Sequence, residues 1–266
     1  MTNDSAAANT LGTIGTVLWC VQLVPQIYFN YRKKNCEGLP PLMLFLWSAC
    51  GVPFAIYFIS IDSNIPVQVQ PCVFTVLCLI GFVQSLYYPP VSWPTRRIIL
   101  VVVAFVVGAM ALEVGFIIPL KRWYQEGTTW PPLIFGILAS ILLAAGLIPP
   151  YFELWKRQGR VIGINFIFLT IDFSGAVFSL ASLAVDTAKL DIMGCVLYAI
   201  CALLELGIFA SQLVWLIRFR WLKTGRLNDA EDIGDKEFSE VELQATDLAE
   251  RLCGKEPLRE DLDDQD

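Results

Sequence analysis

Asp172 stands eight residues into an apolar stretch, between Ile171 and Phe173. In a membrane-spanning helix a charged carboxylate at that depth costs about 2.5–3.5 kcal/mol on insertion scales. Such residues therefore face a cavity, a partner or a solute path, where a carboxyl can take up and release a proton. Glu205, after "YAICALL", is a second acid of this kind and can face the same interior. Glu113 is a third, in a separate apolar run. Amides occur in the same setting: "VPQIYFNY" carries Gln26 and Asn30 beside Pro25. Gln26 can hydrogen-bond a solute or bridge two helices. Asn30 either takes part in binding or lies solvated at the membrane boundary. Pro25, and Pro149 with Pro150 in "IPPYFELW", each remove a helix hydrogen bond and clash with the preceding turn.

Several chemistries have no support. The chain has no histidine, which removes the commonest metal ligand and any HExxH motif. Its eight cysteines form no CxxC pair, so neither a zinc site nor a disulfide framework is expected. Phosphate-binding loops and nucleophile elbows are absent from the sequence, and the reading is a protein without enzymatic activity or cofactor. The basic clusters are short and flank apolar runs, which suits membrane lipids and gives no case for nucleic acid.

The elements that must position these residues are membrane helices. Of the 266 residues, 56% are hydrophobic and 17% charged, with a mean hydropathy of +0.59. A soluble domain carries about 25% charged residues. Seven stretches are long and apolar enough to cross a bilayer: 11–30, 40–60, 68–89, 98–119, 132–153, 164–185 and 192–217. The loops on one side, with the C-terminal flank, hold 12 Lys and Arg, against 3 on the other. By the positive-inside rule the N-terminus is lumenal or extracellular and the C-terminus cytosolic. Residues 228–266 hold 15 acidic and 4 basic residues and read as a mainly disordered tail. That tail either solubilises the chain or docks a cytosolic partner.

The chain also repeats itself. "LVPQIYFNYRKK" (23–34) lies over "LIPPYFELWKRQ" (147–158), with the two leading prolines 124 residues apart. Each segment is followed by a glycine, Gly38 or Gly163, that opens another span. Three spans end on the opposite side of the membrane and one more returns the chain, so a second triplet starts in the orientation of the first. The expected fold is thus an all-α membrane protein of two parallel three-helix repeats joined by a linker helix (3+1+3). Its parts are an N-terminus 1–10, a first repeat 11–97, a linker 98–131, a second repeat 132–227 and the tail 228–266.

"VPQIYFNYRKKNCEG" resembles the PQ-loop motif, and residues 11–220 resemble the PQ-loop family throughout. That family includes lysosomal cystine and cationic amino acid exporters and shares its architecture with SWEET-type sugar transporters. "GINFIFLTIDFSGAVFSL" is similar to the cystine-exporter pattern. The resemblance implies that Pro25, Pro149 and Pro150 act as hinges for alternating access. It implies that Asp172 couples proton movement to solute export, and that Asn30 matches an asparagine of the exporters. The chain departs from the pattern where Pro149-Pro150 replaces Pro-Gln, and where Trp47 stands at the first-repeat position of Asp172. The function implied is proton-coupled export of a small solute, such as an amino acid, from a vacuolar, lysosomal or other endomembrane lumen. Gln26, Asn30, Asp172 and Glu205 are the candidates for the solute or proton path. The alternative is a non-transporting receptor, lipid-handling factor or regulator on the same scaffold.

Overall fold

The protein is described from a computed structural model covering residues 3–63, 65–185 and 192–221. The acidic segment 228–266, with Lys189, Lys223 and Arg226, lies outside the described residues. Those residues form nine α-helices: α1 (Asn3–Val21), α2 (Leu23–Lys33), α3 (Pro41–Ser60), α4 (Ile65–Tyr87), α5 (Thr95–Gln125), α6 (Trp130–Gly146), α7 (Ile148–Lys156), α8 (Phe166–Val185) and α9 (Ile192–Trp215). Residues up to Leu213 pack as one unit. Val214 onward clusters as another, whose described part ends in a π-helical turn, Leu216–Trp221.

Seven helical stretches can span a bilayer, because α1 with α2 and α6 with α7 form broken single spans, Ala6–Lys33 and Trp130–Lys156. The breaks fall at Gln22 and Leu147, just ahead of Pro25 and Pro149. A proline ring displaces the carbonyl four residues earlier. Those carbonyls belong to Val21 and Ala145, at the ends of α1 and α6. Pro53, Pro71 and Pro119 instead lie inside continuous helices.

Several helices run past the limits that hydropathy suggests. α1 starts at Asn3, within the expected N-terminal tail, and α5 reaches 31 residues. At 1.5 Å per residue α5 is about 46 Å long, against a hydrocarbon core of about 30 Å. Its polar ends, Thr95 to Arg97 and Lys121 to Gln125, therefore extend the helix beyond the apolar stretch that hydropathy detects. Only Ile98 and Leu120 of α5 are buried, whereas Leu100, Val107, Met110, Val114 and Ile118 are exposed to lipid.

The core lies elsewhere. α1 packs along α8, and α3 sits between α4 and α6 while also touching α5. α2 packs on α4. Leu23, Met43, Leu44, Trp47, Leu147, Phe168 and Ile208 are almost completely buried among these helices. This core holds the intramembrane acids in place.

Candidate functional site

Asp172 and Glu205 meet inside the bundle. On α8, Asp172, Gly175 and Ser179 recur at helical spacing, and all three are buried. On α9, Tyr198, Cys201 and Glu205 share one face in the same way. The two carboxyl side chains line one cavity, with Asp172 5% exposed and Glu205 1%. Two carboxyls sharing one buried site cannot both stay ionised, so this pair carries at most one negative charge. No N–H or hydroxyl donor reaches Asp172 Oδ2 or Glu205 Oε2 among the described residues.

The pair forms part of the wall of a cavity of about 70 Å³. One water needs about 10–15 Å³ by the same measure, so there is room for several waters or a small solute. Trp19, Trp47, Phe74 and Tyr198 supply aromatic walls, while Gln22 and Gln70 add amides. Gln22 occupies the break after α1 and is 2% exposed, and no donor reaches its Oε1. A second cavity, of about 230 Å³, shares Trp19, Phe58, Gln70 and Tyr198 with the first. It continues to Ala8, Asn9, Ser182 and Leu183, near the ends of α1 and α8.

Toward the loop between α2 and α3, buried amides bond the segments to one another. Gln26 Nε2 donates to Gly163 O and Asn30 Oδ1, both at 2.8 Å. Gln26 Oε1 accepts the Asn165 backbone N–H at 2.7 Å. Asn30 Nδ2 donates to Gln84 Oε1, and Gln84 Nε2 donates to Ile27 O, each at 3.1 Å. The polar atoms of Gln26 are therefore committed to protein partners on the break-to-loop segments of both halves. Outside this network, Arg157 pairs with Glu37 at 3.2 Å and Lys156 with Glu153 at 2.8 Å.

The family model for the PQ loop repeat matches residues 7–67, which contain Pro25, Gln26 and Gly38. The chain is 56% identical over 225 residues to the uncharacterized membrane protein YDR090C of Saccharomyces cerevisiae, across 85% of this chain and 72% of that protein. It belongs to the PQ-loop repeat family. This PQ-loop protein is also 34% identical over 247 residues to the uncharacterized protein C2E12.03c of Schizosaccharomyces pombe, covering 90% of this chain and 86% of that one. A shorter likeness, 32% over 87 residues, links it to the vacuolar histidine transporter YPQ3 of S. cerevisiae, covering 32% of this chain and 29% of that protein.

Within the PQ-loop protein, matched positions of the two halves meet. Gly38 and Gly163 have φ of 84° and 81°, a region that disfavours a Cβ. The two loops cross at these residues: a Cβ on Gly38 would collide with Ile162 O, and one on Gly163 with Glu37 O. Lys34 and Gln158, again 124 residues apart, both adopt left-handed φ just beyond α2 and α7. The Trp19 indole lies on Gly175 and donates to Asp172 O at 3.2 Å. The Trp47 indole lies on Gly146 and donates to Leu143 O at 3.1 Å. Leu143 is the counterpart of Trp19, and Trp47 that of Asp172.

The structure thus brings Asp172 and Glu205 together at the cavity and places Gln26 and Asn30 in the closing network. Pro25, Pro149 and Pro150 stand at the helix breaks. Glu113 lies on α5 beside Cys72, apart from the pair. Sequence reasoning passed over Gln22, Gln70, Gln84 and Asn165. The first three carry the signal that marked Gln26, a polar amide in an apolar run. Asn165 could have been found as the helix cap before Phe166, since its Oδ1 accepts the Ile167 N–H at 2.7 Å.

Proposed function

We propose that the protein carries a small, amino-acid-sized solute across an endomembrane by alternating access, and that the Asp172–Glu205 pair takes up and releases a coupled proton. The observation that carries this reading is an acid-walled cavity within helices whose outer faces are apolar. Intramembrane carboxyls facing a cavity mark ion and solute paths. The wider second cavity gives the approach from the N-terminal side, and the Gln26 network is the closed gate. Pro25, Pro149 and Pro150 are the hinges, at breaks where the helix has already lost hydrogen bonds.

The same proposal takes 11–97 and 132–227 as two parallel repeats and 98–131 as their linker. The exchange-related packing supports it: α1 lies on α8 and α3 on α6, which is the pattern two repeats make when each contacts the other through matched helices. The distribution of Lys and Arg supports a lumenal N-terminus. The short likeness to a vacuolar histidine transporter supports a vacuolar or related membrane. Export to the cytosol is the direction that the family resemblance implies.

The test is flux by purified protein in proteoliposomes, with pH gradients imposed in each direction and a pH-sensitive dye inside. Wild type should move protons in step with a solute from an amino acid and amine panel. Asp172→Asn should reduce that coupled flux at least about tenfold. Equal behaviour of the two proteins with every solute would remove Asp172 from the coupling.

A further inference from the structure

We infer that the cavity takes a small organic monocation lacking a carboxylate, and that this cation exchanges with one proton on the Asp172–Glu205 pair. The inference rests on the cavity being the solute site and adds the charge of the solute.

The wall holds two acids, and its donors for an anion are limited to neutral groups such as the Gln22 and Gln70 amides. Asp172 Oδ2, Glu205 Oε2 and Gln22 Oε1 are buried and receive no donor from the described residues. No Lys or Arg is among the described residues lining the cavity. The indole N–H groups of Trp19 and Trp47, which could otherwise hold a carboxylate, donate to Asp172 O and Leu143 O. Arg157 is occupied by Glu37 and Glu153 at the loop face. An α-carboxylate entering here would lose its water and find no cationic side chain to neutralise it. An ammonium or guanidinium would meet free acceptors and the faces of Trp and Tyr rings, which attract cations.

Charge balance gives the exchange. In a low-dielectric interior the pair is least costly when the site is neutral. Two protons make it neutral, and so do one proton and one monocation. Loading a cation onto the doubly protonated pair therefore releases one proton to the water on the side from which the cation came. The other titratable groups facing the pair do not alter this count. Cys78 and Cys201 face Asp172, and Cys201 and Tyr151 face Glu205, while Cys50 lies beside Cys78 and Cys201. None of them carries positive charge. Cation and proton then move in opposite directions.

The test uses full-length protein in nanodiscs and three unbranched probes of four or five chain carbons: butylguanidinium (cation), 4-guanidinobutyrate (zwitterion) and n-pentanol (neutral). Binding is read by tryptophan fluorescence, since Trp19 and Trp47 line the cavity, and proton release by a dye in weak buffer. Butylguanidinium should bind at least about tenfold tighter than either relative. On the acid side its affinity should fall toward about tenfold per pH unit, with proton release rising toward one per cation. Glu205→Gln and Asp172→Asn should each weaken it at least about tenfold. The wild-type comparison holds even if a variant fails to fold. Equal or tighter binding of the zwitterion or the alcohol, affinity unchanged or strengthened by acid, or no binding by any probe would each overturn the inference. Asp172-dependent flux of a zwitterion without cation binding would overturn it and leave the transporter reading standing.

Discussion

Gln26 and Pro150 occupy matched positions in two similar segments 124 residues apart, yet one is a hydrogen-bond hub and the other has no side-chain amide. Gln26 reaches across to Gly163 O and the Asn165 N–H. Their counterparts in the first half are Gly38 O and Pro40, and proline has no N–H to donate. The lost glutamine of the second half thus coincides with a lost donor opposite it. A buried amide at 150 would find only half of its partners, and unmade buried hydrogen bonds are expensive. The backbone crossing at Gly38 and Gly163 is nevertheless kept on both sides. One feature is shared because it is steric, while the other is held from one side because only one side offers both a donor and an acceptor.

If the crossing is steric on both sides, Gly163→Ala and Gly38→Ala should be the most damaging changes and should cost about the same. Each puts a Cβ into a carbonyl oxygen at a left-handed φ. Strain and overpacking together predict a loss of about 3 kcal/mol or more. Thermal melts in nanodiscs read it. A mild effect at one glycine and a severe one at the other would break the symmetry claimed for the crossing.

The bridging should be one-sided. Gln26→Leu leaves Gly163 O and the Asn165 N–H without their side-chain partner, at a cost of about 2 kcal/mol. If that bridge is also the gate proposed above, the variant should label faster with a membrane-impermeant reagent at a cysteine introduced beside the cavity. Pro150→Leu should do neither. Equal effects at 26 and 150 would mean that the network is ordinary packing.

The sequence carried the seven spans well because its strongest signal, apolar length, depends on the bilayer and not on which helix touches which. It also exposed Asp172 and Glu205, since an acid in hydrocarbon is anomalous without any partner being known. That they could face one interior was an expectation of the sequence, but their place in one cavity wall was not legible: it depends on the rotation of α8 and α9 about their axes, and no local pattern fixes that. The fate of Gln26 was hidden for a related reason. Whether an intramembrane amide binds solute or backbone is decided by the residue opposite, here Asn165, which lies 139 positions away. Trp47 read as a departure from the aspartate pattern. Its indole instead makes, from the other side, the same kind of helix-to-helix bond that Trp19 makes to Asp172 O.

The smallest effect is the most specific to the comparison. Pro150→Gln alone should be neutral to mildly destabilising, because Gly38 O can accept from the new amide but Pro40 offers nothing to its oxygen. Pro40→Asn alone should stabilise by about 1 kcal/mol or less, since Pro40 precedes α3 without a side-chain cap and Asn165 caps α8 from the matched position. Together the two changes rebuild the missing donor–acceptor pair. The double variant should then exceed the sum of the singles by about 1 kcal/mol in a thermal double-mutant cycle. Strict additivity would show that the second loop cannot adopt the geometry of the first, and that the asymmetry lies in the backbone rather than in two side chains.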